Sequence, residues 1–284
     1  MNIILLTVSI LVGIGVFSAV ILYFVAQKFK VDEDPRIDTV AETLPQANCG
    51  GCGFAGCRNF AEALTKAEDL SAMFCPVGGN TVMMTVAQIL GKTVEAKDPL
   101  VAVVRCNGTL EHRPRTTRYD GAASCIIEHT LYSGDTGCPH GCLGCGDCVA
   151  VCAFNALSIN NKTGLPEVNS ANCTACGACV KACPRNIIEL RRKDKKDRKI
   201  FVSCVNQEKG GIAKKSCSTA CIGCSKCLKV CTFNAIKIEN NLAYIDSTAC
   251  KMCRKCTTEC PTGSILEINF PIRKVQPEAE TNLI

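Results

Sequence analysis

Hydrophobic positions are spread unevenly along the chain, and each change in their period marks a change of element. Residues 3–26 are almost continuously apolar and residues 1–27 carry no charge, more than the ~20 residues a helix needs to cross a bilayer. This predicts a transmembrane anchor over residues 1–27. A cleaved signal peptide would carry basic residues ahead of its apolar run; none is present, so the anchor is expected to stay. Lys28 and Lys30 follow it directly. By the positive-inside rule they predict a single-pass protein of the cytoplasmic (inner) membrane, with the N-terminus outside and the rest on the cytoplasmic side. Past an acidic hinge at residues 31–35, Ile37, Val40, Ala41 and Leu44 recur at helical spacing until Pro45. Residues 60–70 and 81–90 are further predicted helices.

The period then shortens. Residues 100–105 and 200–204 read as strands. Residues 156–159 with 165–168, and 235–238 with 242–245, read as hairpins turned at Asn160-Asn161 and Asn240-Asn241. These strands are too short to build a large core, and the chain of 284 residues has no Trp and only four Tyr. Units so thin usually need a metal staple, and the apo protein is expected to fold poorly.

Cysteine supplies the staple. Of the 25 cysteines, Cys142, Cys145, Cys148 and Cys152 form a C-x2-C-x2-C-x3-C run, as do Cys173, Cys176, Cys179 and Cys183. The pattern returns at Cys221, Cys224, Cys227 and Cys231, then at Cys250, Cys253, Cys256 and Cys260. This is the bacterial ferredoxin spacing, in which three close thiolates hold one [4Fe–4S] cube and the fourth reaches to its neighbour. Crossed ligation predicts sets Cys142/Cys145/Cys148/Cys183 and Cys152/Cys173/Cys176/Cys179 in one unit, and Cys221/Cys224/Cys227/Cys260 and Cys231/Cys250/Cys253/Cys256 in the other. A further set, Cys49, Cys52, Cys57 and Cys75, lies among Gly50, Gly51, Gly53 and Gly56, whose backbones can wrap closely round a cube. Five clusters follow, with six or more if the remaining Cys106, Cys125, Cys138, Cys204 and Cys217 are also ligands. A sixth site drawn from residues 106–142 would compete for Cys142. Disulfides suit neither the odd count nor a reducing cytosol, and zinc does not need four cysteines packed so closely. His112, His129 and His140 lack paired spacing and are not expected to be ligands.

The repeat organises the fold. The expected class is α+β: a transmembrane helix, a small [4Fe–4S] module and two tandem βαββαβ ferredoxin-like units, each helix beginning inside a cysteine run. The boundaries are 1–27 anchor, 28–92 four-cysteine domain and 93–137 connector with a strand and extra cysteines. They continue with 138–190 first unit, 191–216 basic linker and strand, 217–270 second unit and 271–284 disordered tail.

The stretch VDEDPRIDTVAETLPQANCGGCGFAGCRNFAEAL followed by FCPVGG, placed after a single anchor and before ferredoxin runs, resembles the B subunit of Rnf complexes over most of the chain. In that family a first [4Fe–4S] domain is held by the cysteines matching Cys49, Cys52, Cys57 and Cys75. The resemblance implies an iron–sulfur electron-transfer subunit that takes electrons from reduced ferredoxin. Its partners are the other membrane and peripheral subunits of a translocase that reduces NAD and pumps Na+ or H+. Rival readings are a membrane-tethered polyferredoxin acting alone and a cluster scaffold. No G-x-G-x-x-G or P-loop is present and no nucleophile–base arrangement stands out, so no catalytic residue is expected on this chain.

Charge adds one question. The net charge is +6 and a basic run fills residues 191–199. It is either a solvated linker or a docking site for an acidic electron carrier. No aromatic platform accompanies it, so nucleic acid is not an expected partner.

Overall fold

The computed structural model describes residues 2–28, 34–132 and 134–272. Helix α1 (Asn2–Lys28) buries none of its membrane-length segment Leu5–Lys28 against the rest of the chain. An apolar helix with no protein around it suits lipid, where every backbone group is satisfied within the helix.

The first module is helical. Helices α2 (Arg36–Thr43), α3 (Cys57–Lys66) and α4 (Gly79–Leu90) meet over Ile37, Val40, Leu44, Phe60, Leu64, Met83 and Val86, with Leu70 from the connecting loop. Each such side chain contributes about 1.5–3 kcal/mol by leaving water. Helix α4 closes on Gly91 in the left-handed region (φ 64°), and Lys92 N–H turns back to the Ala87 carbonyl. The Lys92 ammonium then donates to the Leu64, Thr65 and Ala67 carbonyls at the end of α3, so the two helix ends are tied together. The helix expected at residues 60–70 starts three residues earlier, at Cys57, because the Asn48 side-chain oxygen accepts the Cys57 N–H at 2.8 Å.

The two later units share one plan. In the first, β1 (Leu100–Val104) pairs antiparallel with β4 (Ile188–Arg192), and β2 (Leu157–Asn160) with β3 (Leu165–Val168). Helices α6 (Asp147–Ala150) and α7 (Ala178–Ala182) lie between the strands, while α5 (Cys125–Leu131) belongs to the long insertion after β1. In the second, β5 (Lys199–Val202) pairs with β8 (Ile265–Ile268) and β6 (Ile236–Glu239) with β7 (Leu242–Ile245), around α9 (Lys226–Val230) and α10 (Lys255–Glu259); α8 (Gly210–Ser216) precedes them. The four helices inside the cysteine runs each follow a left-handed residue, Gly146, Gly177, Ser225 or Arg254.

Strand pairing redraws two expected boundaries. Strand β1 belongs to the first unit, not to a connector, because Val101 sits opposite Arg191 in its ladder. The basic run is a linker only in part: Arg191 and Arg192 end β4, Lys199 opens β5, and residues 193–198 connect the two strands. Of the tail expected to be disordered, residues 273–284 lie outside the described residues, as do residues 31–33 of the acidic hinge.

Candidate metal centres

All 25 cysteines are free thiols, and their neighbours sort them into sets. In the first module the Cys75 thiol is pushed up by burial and further by Cys52 and Cys49 beside it, and its sulfur accepts the Gly78 N–H at 3.3 Å. Cys57 opens α3 at the same loop.

Within the first unit, burial and then Cys173, Cys176, Cys148 and Cys152 push Cys179 up to about 12. Burial, Cys125 and Cys183 push Cys148 up to about 11. Cys183 thus lies beside Cys148 of the first run. The second unit repeats it. Cys227 is raised to about 11 by burial and by Cys221, Cys224 and Cys260. Cys256 is raised to about 12 by burial and by Cys250, Cys227 and Cys253, while Cys231 neighbours Cys250. Cys260 goes the other way: burial opposes ionisation, but N–H groups of Thr262, Ser264 and Ile265 and the Thr262 hydroxyl outweigh it and lower the thiol.

Backbone N–H groups are aimed at these sulfurs. Ala156 donates to Cys152 (3.3 Å), Ala102 to Cys173 (3.5 Å), Ala243 to Cys221 (3.5 Å) and Met252 to Cys250 (3.4 Å). Such donors stabilise thiolate and set cluster potential. Crowded, partly buried thiols that repel one another cannot all ionise without added positive charge, and a [4Fe–4S] core supplies it. A structural zinc site takes four ligands, whereas the ferredoxin spacing places three close thiolates in each run with a fourth that reaches to the neighbouring set. The paired runs and the match of residues 141–187 and 220–264 to dicluster domains fit clusters.

Within each unit the two sets adjoin. Cys148 and Cys179 are neighbours in the first unit, as are Cys227 and Cys256 in the second. The first module meets the first unit backbone to backbone, since a Cβ on Gly51 would stand 2.8 Å from the Cys176 carbonyl oxygen. At the far end, Cys224 and Cys253 are exposed. Flanking them, Lys226, Lys229, Lys251 and Lys255 are exposed where the first unit's run carries Asp147, Ala150, Thr174 and Ala178.

Sequence reasoning missed those four lysines as a surface. A position-by-position comparison of the two repeat copies would have found them. The basic run does not form the alternative patch. Arg191 is 3% exposed, its guanidinium donating to the Ile200 and Ile245 carbonyls and lying over the Phe201 and Tyr244 rings. Arg192 pairs with Asp98, Arg198 with Asp194, and buried Lys199 with Asp197; only Lys195 and Lys196 are exposed.

The unassigned cysteines separate too. Cys125, on α5, neighbours Cys142, Cys145 and Cys148, a fifth sulfur at that set. The Cys145 thiol donates to the buried Glu128 carboxylate at 2.9 Å and is raised by burial and by that carboxylate. The other four, Cys106, Cys138, Cys204 and Cys217, meet elsewhere. Among the histidines, His112 Nδ1 lies 3.0 Å from the Ser218 hydroxyl.

An apolar anchor followed by four-sulfur sets in contact defines a membrane-anchored, multi-cluster iron–sulfur electron-transfer protein. Residues 141–187 and 220–264 match the "4Fe-4S dicluster domain" family, and residues 44–77 the family described as "Putative Fe-S cluster". The chain is 40% identical over 270 residues, 94% of each chain, to the B subunit of the proton-translocating ferredoxin:NAD(+) oxidoreductase complex of Clostridium ljungdahlii. It is 42% identical over 265 residues, 93% of this chain and 78% of the relative, to the B subunit of the Na(+)-translocating ferredoxin:NAD(+) oxidoreductase complex of Acetobacterium woodii. To the B subunit of the ion-translocating oxidoreductase complex of Methanosarcina acetivorans it is 39% identical over 259 residues, covering 91% of this chain and 96% of the relative. The chain belongs to this family, the B subunits of Rnf complexes, and is a membrane-associated iron–sulfur subunit that works with the other subunits of its complex.

Proposed function

We propose that this chain takes electrons from reduced ferredoxin at its second unit and relays them through its first unit and first module to the partner subunits of an ion-translocating ferredoxin:NAD oxidoreductase. The carrying observation is the order of neighbouring cysteines, from exposed Cys224 and Cys253 in the second unit, through Cys204 and Cys106 between the Cys221 and Cys142 sets, to the approach of Gly51 on Cys176. The proposed ligands are the 20 cysteines of the five sets named from their spacing. A [4Fe–4S] cluster bound at each supplies reversible one-electron chemistry. The protein contributes the rest. Lys226, Lys229, Lys251 and Lys255 attract an acidic carrier and orient it on the two exposed cysteines, since complementary charge speeds encounter without a large interface. N–H donors hold the sulfurs in place and tune their charge. Cys148 and Cys179, buried where the first unit's two sets adjoin, keep water from the middle of the path.

Ion movement belongs to the partners, because α1 is uncharged until Lys28 and offers no ion path. Lys28 and Lys30 at its end support a cytoplasmic location for the modules. The test is stopped-flow reduction of the holoprotein by reduced ferredoxin across ionic strength. Fast reduction at low salt that slows steeply with salt supports the reading; salt-independent reduction, or none, contradicts it. Protease digestion of right-side-out vesicles tests sidedness, protection of the modules being the expected outcome.

A further inference from the structure

We propose that the Cys142 set is a five-sulfur site, in which Cys125 from the insertion and Cys145 from the ferredoxin run are alternative ligands for one iron of the same cluster. The inference rests on the iron–sulfur reading of that set, and goes beyond it by giving a use to a cysteine outside the runs.

The two units differ at this corner. In the second, one small cavity is lined by all four cysteines assigned from the spacing, Cys221, Cys224, Cys227 and Cys260. In the first, the matching cavity is lined by Cys142, Cys148, Cys183 and Cys125. Cys145, the counterpart of Cys224, is not among its lining residues. Its sulfur turns instead to Glu128 and donates to the carboxylate at 2.9 Å. The neighbours of the central cysteines change in step. Cys227 has Cys221, Cys224 and Cys260 beside it, whereas Cys148 has Cys125 and Cys183. Cys125 therefore occupies the place that the repeat gives to the second cysteine of the run.

The insertion holds both sulfurs in these places. The Asp147 carboxylate, at the start of α6, accepts the Ser124 hydroxyl at 2.9 Å and the N–H groups of Cys125 and Ile126. The first turn of α5 is thereby pinned to the ferredoxin run. Glu128 is 5% exposed, and the buried Arg185 guanidinium is near enough to offset its charge. A thiol that donates to a carboxylate is a protonated cysteine, and the metal ligand is the thiolate. The second unit lacks these parts. Lys226 stands at the position of Asp147, and the helix before its run, α8, opens on Gly210, where a Cβ would lie 2.5 Å from the Ile222 carbonyl oxygen.

The Cys145 and Cys125 sulfurs are within hydrogen-bonding reach of each other, so one can replace the other at a single corner. Exchange conserves charge and electrons. One Fe–S bond to Cys125 breaks as one to Cys145 forms, the Cys145 proton passes to the released Cys125 sulfur, and nothing is oxidised or reduced. The corner keeps a ligand when either cysteine is lost.

The test is iron and acid-labile sulfide in full-length holoproteins purified without oxygen, with EPR of the dithionite-reduced samples. Cys145→Ala and Cys125→Ala should each keep the parental iron, and Cys125→Ala should shift the EPR signal of one cluster as Cys145 takes the corner. The double variant should lose about four irons, and so should Cys224→Ala, because the second unit has no further sulfur at that corner. Loss of about four irons from Cys145→Ala alone, or from Cys125→Ala alone, would make that cysteine the fixed ligand and overturn the proposal, as would a double variant that keeps its iron. If the Cys125 variants do not fold, Cys145→Ala against Cys224→Ala decides: iron kept by the first and lost by the second is expected, and equal responses overturn the proposal. A parent with almost no iron overturns the iron–sulfur reading itself.

Discussion

The two ferredoxin-like units share a strand ladder, a hairpin and a pair of short helices, yet their surfaces differ. In the first, Cys145 and Cys176 are half-buried, one beside the insertion that carries α5 and the other where Gly51 presses on its backbone. In the second, the equivalent Cys224 and Cys253 are exposed, and four lysines replace an aspartate, two alanines and a threonine. Cluster binding fixes the cysteines and the turns of both copies. It leaves the residues between the cysteines free, and on the proposed reading those residues separate entry from internal relay.

The units also differ from the first module in what holds them together, which gives the largest expected effect. The buried cluster of the first unit is only Ala102, Cys148, Leu157, Cys179 and Ile188, and that of the second includes five cysteines. The first module has a core of three helices with Phe60, Leu64, Leu70 and Met83. Anaerobic iron chelation should therefore abolish amide-exchange protection of the β1–β4 and β5–β8 ladders while α3 and α4 keep much of theirs. Equal loss, or none, would mean that clusters do not carry the units' stability.

Next comes the surface contrast. Reversing Lys226, Lys229, Lys251 and Lys255 to Glu should lower the ferredoxin on-rate by about tenfold or more at low salt and flatten its salt dependence, because steering acts within a Debye length of about 10 Å at 0.1 M. The same change at Lys195 and Lys196 should leave both nearly unaltered. Equal effects at the two places would remove the distinction between units.

A smaller effect is expected at the inner contact. Gly51→Ala would bring a Cβ to 2.8 Å from the Cys176 carbonyl oxygen and 2.9 Å from Pro76, forcing the first module away from the first unit. Reduction of the first module's cluster should slow several-fold with unchanged iron content, as read by EPR of freeze-quenched samples. The smallest change is Arg191→Met. It leaves the Ile200 and Ile245 carbonyls without a donor, at about 1–3 kcal/mol each, and should lower the guanidinium midpoint for cluster loss without altering the on-rate.

Much of this was legible in the chain. The anchor, three helices and both hairpins follow from hydrophobic period, and the cysteine runs announce which sulfurs meet, because their spacing is the chemistry. The misreadings arose where partners are distant in sequence. Residues 191–199 look like a solvated charge run, but Arg191 finds its acceptors at Ile200 and Ile245 and is buried by strand pairing with β1. Cys106 looks like a competitor for Cys142. Its companions Cys204 and Cys217 lie in the other repeat, and only the packing of the two units shows them together.

The central claim, that electrons enter at the second unit and leave through the first module, is tested most directly by removing one end at a time. Full-length holoprotein would be mixed with reduced ferredoxin in stopped flow, comparing the parent with Cys250→Ala/Cys253→Ala and with Cys49→Ala/Cys52→Ala. Loss of the fast first phase in the former, and loss of only the slow final phase in the latter, is the predicted result. A fast phase that survives without Cys250 and Cys253 but vanishes without Cys49 and Cys52 would contradict the account and place the entry point at the first module.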